Sequence, residues 1–358
     1  MDISAIYKHP EDVVAVTSSS GSITYGELYR RSENLAKHII ASGAKRVIVY
    51  GHKEYSMILA YVACLRAGVP YIPVSPQQPV GRRKAIASQA DAGLILCAVG
   101  RGFAGAGSAL SLNIMAVSDE APEQEVQLPD AYAEDQLAYI TFTSGSTGNP
   151  KGVQATRGNL NNYIDWMDKS IPLKPEEEGT ILNLAMFSID LSLTDIYYAL
   201  THGRTLVTTN SEIQQHLTKL YPHLEKSNAA MMVLPPTLVH FMMQSNRFGR
   251  EMMPNLRVVY LSGESLHPGT VRHLLKCFDG DLTVINGYGP TEATCNVCAA
   301  QITDDMCDDR LPVGIVKDAC TTIRIMKDNE DVPVGEEGEI VLIGKSVTGG
   351  YTNEEEGG

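Results

Sequence analysis

The chain has 358 residues, 44% of them hydrophobic and 20% charged, and a net charge of −13. That length accommodates two or three structural units, and the composition is that of a globular chain rather than a disordered one. The acidity argues against nucleic acid or an anionic membrane surface as partner, because both need clustered Lys and Arg.

Taken in order, "VVAVT" and "SITYGEL" read as two short strands around a Ser/Gly turn. "ELYRRSENLAKHIIASG" then has helical spacing and a stop at Gly43. "RVIVYGH" is a buried strand, "SMILAYVACLRAG" a helix closed by Gly68, "YIPV" a strand, "RRKAIASQADAG" a helix and "LILCAV" a strand. Strands alternating with helices predict a parallel sheet covered on both faces. "GFAGAGSALSLN" and "SDEAPEQEVQLPD" read as surface loops. The alternation resumes with the strand "LAYITFT", the helix "TRGNLNNYIDWMDKSI", the strand "GTILNLAM" and the helix "SLTDIYYALTHG". "TLVTT" and "AAMMVLP" are strands around the helix "SEIQQHLTKLYPHLEKS", and "RVVYLSG", "GTVRHLLKCF" and "LTVINGYG" add another β-α-β. Beyond about residue 300, "TTIRIMKDNEDVPVGEEGEIVLIG" holds short strands between charged turns. The expected fold is α/β: parallel-sheet subdomains over residues 1–135 and 136–300, then a small antiparallel, barrel-like β subdomain over 301–358.

No run approaches the roughly 20 apolar residues of a membrane span. The nearest, "AAMMVLPPTLVHFMM", is broken by Pro235 and Pro236. The first residues lack the basic and apolar regions of a secretory signal. Seven irregularly spaced cysteines read as reduced thiols, which predicts a cytoplasmic protein. Cys295 and Cys298 form a C-x-x-C, but no second pair stands at zinc-site spacing.

Residues 141–152, "TFTSGSTGNPKG", contain only Gly, Ser, Thr, Asn and Pro apart from Phe142 and Lys151. Small residues let backbone N–H groups approach an anion, and hydroxyls and a lysine add donors. The stretch reads as strand, loop and then helix. A Walker A loop fails on position, since Pro150 precedes Lys151 and Gly152 follows it. A phosphate-binding loop of another kind and a plain flexible loop both remain open.

"YITFTSGSTGNPKGV" resembles the phosphate-binding signature of adenylate-forming enzymes, the superfamily of acyl-CoA synthetases, luciferases and nonribosomal peptide synthetase adenylation domains. "ITYGEL", "LRAGVPYIPVSPQQP", "SIDLSLTDIY", "NGYGPTEATC" and "GEIVLIGKSVTGGY" resemble further motifs in the same order. The likeness is to amino-acid adenylation domains, including D-alanine–carrier-protein ligases, rather than to fatty acyl-CoA ligases. It implies an enzyme that joins an amino acid to ATP as an aminoacyl-adenylate, with Mg²⁺, and passes the acyl group to a carrier-protein thiol. By that resemblance Thr143, Ser144, Gly145, Ser146, Thr147, Gly148 and Lys151 hold the β- and γ-phosphates. Tyr288 stacks on adenine with Asn286 and Gly287 at its edge, and Gly263 and Glu264 border the purine. Thr291 donates to the α-phosphate and Glu292 holds the metal, so Lys151, Thr291 and Glu292 form the catalytic set. Asp190 pairs with the α-ammonium, or else caps the following helix. Leu191, Thr194, Val233, Tyr260, Ser262, Gly287, Cys295 and Asn296 form the rest of the pocket. None of them is charged, which favours a small neutral or polar amino acid. Asp195 reads as a helix surface residue or a local hydrogen-bonder.

The chain departs from the pattern at its end. The family's Y-R-T-G-D segment, hinge and C-terminal lysine domain are missing, so weak activity of this core alone is expected. Ser75 stands where an aspartate is common, and Ile189 replaces an aromatic before Asp190. The leading expectation is amino-acid activation of the nonribosomal peptide synthesis type; competing expectations are a stand-alone acid ligase of the acyl-CoA or D-alanine–carrier-protein type and a non-catalytic binding module.

Overall fold

The computed structural model describes residues 1–100, 103, 107, 109–144, 149–316 and 320–352. Two large sheets and one small sheet organise it. The first is six-stranded, in the order Leu110–Asn113, Leu94–Cys97, Val47–Tyr50, Tyr71–Val74, Leu137–Ser144 and Pro150–Thr156. The second is nine-stranded, in the order Ile315–Val316, Cys298–Ile302, Thr283–Tyr288, Val258–Leu261, Ala229–Leu234, Thr180–Asn183, Leu206–Thr208, Val14–Ser18 and Gly21–Thr24. Five consecutive neighbours of the second, from Thr283–Tyr288 to Leu206–Thr208, pair in parallel. The sheets draw on interleaved parts of the chain. The N-terminal hairpin extends the nine-stranded sheet by parallel pairing of Val14–Ser18 with Leu206–Thr208.

Side-chain alternation assigns each sheet face its cover. On the six-stranded sheet Val47 and Val49 enter the central core, whereas Ile48, Tyr50, Ile72 and Val74 pack beneath the helix Val80–Ala90 through Ile86 and Ala90. On the nine-stranded sheet Ile181, Met231, Val233 and Tyr260 share the central core, and Leu182, Met232, Leu234 and Val259 face the outer helices Leu217–Ser227 and Pro268–Cys277. Helices Tyr55–Ala67 and Ser192–Thr201 lie in the central core; every residue of the second is buried. A helix apolar nearly all round must lie inside the protein, and this pair does. Local signals set the boundaries. Thr24 and Glu27 form a capping box for Tyr25–Ala41, and Gly68, at φ 70°, closes Tyr55–Ala67.

The small sheet pairs Thr321–Lys327 antiparallel with Glu330–Asp331 and Glu339–Gly344. Three expectations need correction. Residues 110–113, read as loop, form a parallel edge strand, because the backbone of Leu94–Cys97 offers an unpaired edge that they fill residue for residue, with Leu110 itself left half exposed. The phosphate-loop stretch leads into a second strand, Pro150–Thr156, antiparallel to Leu137–Ser144, before the helix Arg157–Ser170 begins at its Thr156 cap. The segment "SEIQQHLTKLYPHLEKS" is two helices, Ser211–Gln214 and Leu217–Ser227. Among the described residues no helix is long and apolar enough to cross a membrane.

His52 sits where the two large sheets meet. Its Nε2 lies 2.8 Å from the Ser211 hydroxyl, and its Nδ1 is buried with no partner among the described residues. Burial, reinforced by the neighbouring Lys53 charge, holds its pKa down to about 4. The unfolded chain therefore takes up this proton first as pH falls, and stability drains between pH 6.5 and about 4. His52→Gln is expected to remove about 2–3 kcal/mol of the stability difference between pH 7 and pH 4.5, read by urea unfolding at both values. An unchanged difference contradicts the assignment.

Candidate active site

In an open parallel sheet the crevice outside the carboxyl ends of the strands is where side chains from several loops converge. Four strands end together here. Thr180–Asn183 runs into Leu184 and Ala185, Ala229–Leu234 into Pro235, Val258–Leu261 into Ser262, Gly263 and Glu264, and Thr283–Tyr288 into Gly289. They wall two adjoining spaces. A cleft of about 950 Å³ is lined by Gly263, Glu264, Asn286, Gly287, Tyr288 and Arg310, among others. A cavity of about 430 Å³ is lined by Leu184, Ala185, Ile189, Asp190, Leu191 and Cys295, among others. Ser262, Gly263, Glu264 and Gly289 border both. Gly263 adopts φ 88°, a conformation that side-chain-bearing residues rarely hold.

Asp190 reaches the cavity half-buried. Burial raises its pKa, against hydrogen bonds from the Thr291 hydroxyl and the Leu191 N–H, while Glu292 raises it further. It is not the N-cap of Ser192–Thr201; Leu191 holds that position and makes no side-chain cap bond. A carboxylate so placed, whose side-chain donor among the described residues is the neutral Thr291 hydroxyl, is short of a cation.

Beneath the cavity floor runs a closed polar network. The Thr194 and Tyr163 hydroxyls lie 2.7 Å apart, Asn296 Nδ2 donates to Tyr163 Oη at 3.3 Å and to Cys295 Sγ at 3.0 Å, and Ser262 Oγ donates to Asn296 Oδ1 at 2.6 Å. Thr194 and Asn296 are thus engaged with each other's partners, and neither they nor Val233 nor Tyr260 lines the cavity. Of the pocket residues expected from sequence, Asp190, Leu191, Ser262 and Cys295 line the cavity, and Gly287 lines the cleft. Gly287 is required by close approach, since a Cβ there would stand 2.4 Å from Tyr260 Oη. Cys295 follows Thr294, and both hold left-handed backbone, at φ 73° and 58°. Asp195 is fully buried and accepts from Asn183 Nδ2 at 2.7 Å. The helix-surface alternative fails because its helix is covered on both sides.

In the cleft, Tyr288 is 36% exposed, an aromatic face open to a flat ring. Asn286 Nδ2 donates to Pro312 O, and Glu264 accepts from the N–H and hydroxyl of Thr237 at 3.0 Å each. These two side chains are already engaged in holding loops. Thr143 and Ser144 end the first hairpin strand opposite Lys151 and Pro150; Gly145, Ser146, Thr147 and Gly148 lie outside the described residues. Backbone bonds from Gly349 N to Gln154 O and from Thr352 N to Gly152 O lay residues 349–352 along the second hairpin strand. This sets the Tyr351 ring 4.8 Å from Lys151 Nζ, and the Tyr351 hydroxyl donates to Glu292 Oε1 at 2.5 Å. Sequence reasoning missed Tyr163 and Tyr351, as well as the apolar wall from Met186, Pro235 and Leu238. Tyr163 gave no signal beyond its place on an amphipathic helix face.

Paired sheets with a carboxylate-bearing cavity beside an aromatic cleft define the class, and residues 4–352 match the AMP-binding enzyme family. The chain belongs to that family of adenylate-forming ligases. Among curated proteins it is 35% identical over 351 residues to the D-alanine–D-alanyl carrier protein ligase of Bacillus licheniformis, covering 96% of this chain and 69% of the relative. It is also 35% identical over 346 residues to the ligase of that name from Listeria monocytogenes, covering 93% and 67%. Among solved structures it resembles a nonribosomal peptide synthetase protein containing adenylation and carrier (PCP) domains, with TM-score 0.81, 24% identity, and coverage of 98% of this chain and 62% of that one. VinN in complex with L-aspartate superposes with TM-score 0.83 at 22% identity, over 99% and 90%. These two share the fold.

The network gives a paired test. Tyr163→Phe removes the hydroxyl that Thr194 and Asn296 share, leaving them only the weaker contacts with Cys295 Sγ on that side, and is expected to cost about 1–3 kcal/mol in urea unfolding. Tyr260→Phe removes a buried hydroxyl that has no partner among the described residues, and is expected to leave stability unchanged or raised. Equal losses in the two variants contradict this account of the floor.

Proposed function

We propose that this chain activates D-alanine with ATP, forming D-alanyl-adenylate and pyrophosphate, and delivers the acyl group to a carrier-protein thiol. Asp190 carries the reading. It is a half-buried carboxylate facing a cavity whose lining residues include no lysine or arginine. The other carboxylate there, Glu264, already accepts two bonds from Thr237. The polar Gln214 is likewise spent, donating to Leu184 O and Thr209 O. A ligand with one ammonium and a small apolar side chain suits such walls, and the relatives named for D-alanine support that choice over a charged or bulky amino acid.

The chemistry follows from the neighbourhood. With its ammonium on Asp190, the amino acid presents its carboxylate toward Thr291. One carboxylate oxygen attacks the α-phosphorus, the bond to the bridging oxygen breaks, and pyrophosphate leaves with both electrons. The carrier thiolate then attacks the acyl carbon and AMP departs. Two anions must approach, so hydrogen-bond donors fixed beforehand matter most. Tyr288 stacks on the adenine. The Thr291 hydroxyl turns from Asp190 to the α-phosphate once an ammonium satisfies that carboxylate. Thr143, Ser144, Lys151 and residues 145–148 hold the departing phosphates.

Glu292 fits magnesium. It is a single half-buried carboxylate beside the cleft, its side-chain bond comes from a neutral phenol, and the described residues hold no cluster of three His, Cys, Asp or Glu. A hard cation held mostly by phosphate oxygens needs only one such ligand, and when bound it neutralises phosphate charge. Residues 1–135, 136–300 and 301–358 are read as three subdomains by chain position, with strands exchanged between their sheets: Leu137–Ser144 and Pro150–Thr156 join the six-stranded sheet, and Val14–Ser18, Gly21–Thr24 and Ile315–Val316 the nine-stranded one.

Asp190→Ala is expected to weaken D-alanine binding by about 3 kcal/mol, or about 100-fold, in calorimetry with the nucleotide present. Unchanged affinity rejects the role. Amino-acid-dependent pyrophosphate exchange is expected to favour D-alanine over L-alanine, glycine and D-serine. A different preference overturns the substrate. Glu292→Gln is expected to lower magnesium-dependent nucleotide affinity at least 10-fold with the ligand-free melting temperature nearly unmoved; a large stability loss instead makes Glu292 structural.

A further inference from the structure

The activation chemistry does not use Lys53, which is 2% exposed. It follows the strand Val47–Tyr50 of the six-stranded sheet and reaches across to the nine-stranded one. There its ammonium donates to Asn183 Oδ1 and to the Ala185 carbonyl, and it lies 4.7 Å from the Phe187 ring centroid. The Asn183 amide donates onward to Asp195 Oδ2 at 2.7 Å and to Ala185 O at 3.2 Å. Cation and carboxylate are thus bridged by an amide. Behind the lysine, Thr208 Oγ1 donates to the Lys53 carbonyl at 2.8 Å.

Burying an ammonium costs several kcal/mol even when it is paired, and an apolar residue of similar volume is often as good for stability. The position of these bonds supplies a reason for the charge. Residues 184–190 form no helix or strand after the Thr180–Asn183 strand ends, so regular backbone pairing does not fix them. Yet Leu184, Ala185, Met186, Ile189 and Asp190 all line the cavity. The loop is anchored at its start by Lys53 on Ala185 and by Gln214 on Leu184, and at its end by the helix carrying Asp195.

We propose that Lys53 is a positioning residue for the substrate cavity: tied to Asn183 and Ala185, and through Asn183 to Asp195, it fixes the wall that presents Asp190 to the amino acid. The clause about the amino acid rests on the function proposed above; the fixing of the wall does not. Burial disfavours the charged form of both groups, lowering the pKa of Lys53 and raising that of Asp195, and each charge opposes the shift of the other, so burial by itself supplies no reason for the pair. Asp195 Oδ1 has no partner among the described residues, which leaves the Asn183 bond as the link that matters.

The test compares Lys53→Met with Lys53→Met/Asp195→Asn, which removes the stranded carboxylate as well. Three quantities are read: melting temperature, hydrogen–deuterium exchange of residues 184–190, and the KM values for D-alanine and ATP in pyrophosphate exchange. The single variant is expected to lose melting temperature, to exchange at least 10-fold faster over 184–190, and to raise the D-alanine KM at least 10-fold with the ATP KM within twofold. The double variant is expected to regain most of the melting temperature while the fast exchange and the high KM persist. Recovery of all three together, or unchanged exchange over 184–190, overturns the proposal and leaves Lys53 a structural counter-charge. If the unmodified chain activates no D-alanine, the functional reading falls while the exchange data still decide the role of Lys53. Should the single variant not fold, the charge-free double variant carries the comparison.

Discussion

A parallel sheet cannot be crossed by short hairpins. Every return connection runs over a face, and the faces close. In this chain both large sheets are covered that way, and the helices Tyr55–Ala67 and Ser192–Thr201 fill the layer between them. What stays open is the row of loops where Thr180–Asn183, Ala229–Leu234, Val258–Leu261 and Thr283–Tyr288 end. Cleft and cavity lie there, where these four parallel strands release their chains side by side. The small sheet and residues 349–352 close the hairpin side of that opening through bonds to Gly152, Gln154 and Asn159.

The electrostatics of the site follow from this enclosure. Glu292 is near enough to Asp190 to raise its pKa further, and no basic side chain lines the cavity that Asp190 faces. Two acids set close together at the mouth of a crevice are a poor arrangement for an empty protein and a good one for a ligand that brings its own cations. The polar floor is closed upon itself, and Glu264 is engaged by Thr237, so under the proposed function the specificity of the cavity rests on shape and on Asp190 rather than on a set of waiting hydrogen-bond donors.

Much of this was legible in the order of residues. The alternation of apolar runs gave the sheets, and "SIDLSLTDIY" and "NGYGPTEATC" gave Asp190, Tyr288, Thr291 and Glu292 as candidates. Three kinds of information were not. Periodicity reports that Leu110 and Leu112 alternate, but two residues are too few to separate strand from loop. It marks Thr194, Asn296 and Asp195 as polar near a pocket, but not that the first two bond within a network around Tyr163 or that Asp195 lies between two sheets. Lys53 stands between the strand "RVIVYGH" and the helix "SMILAYVACLRAG" with no role assigned to it from sequence, and only the meeting of sheets far apart in sequence turns it inward. In each case the missing fact is a tertiary neighbour.

Tyr351 brings one last consequence. Its phenol already occupies Glu292 Oε1, while its backbone bridges to Val153 in the hairpin strand. An ion arriving at that oxygen competes with this proton for the same lone pair. Under the metal role proposed for Glu292, cation uptake and the seating of residues 349–352 are linked equilibria: whatever loosens that segment raises the affinity of Glu292 for a positive ion, and by reciprocity a captured ion loosens the segment.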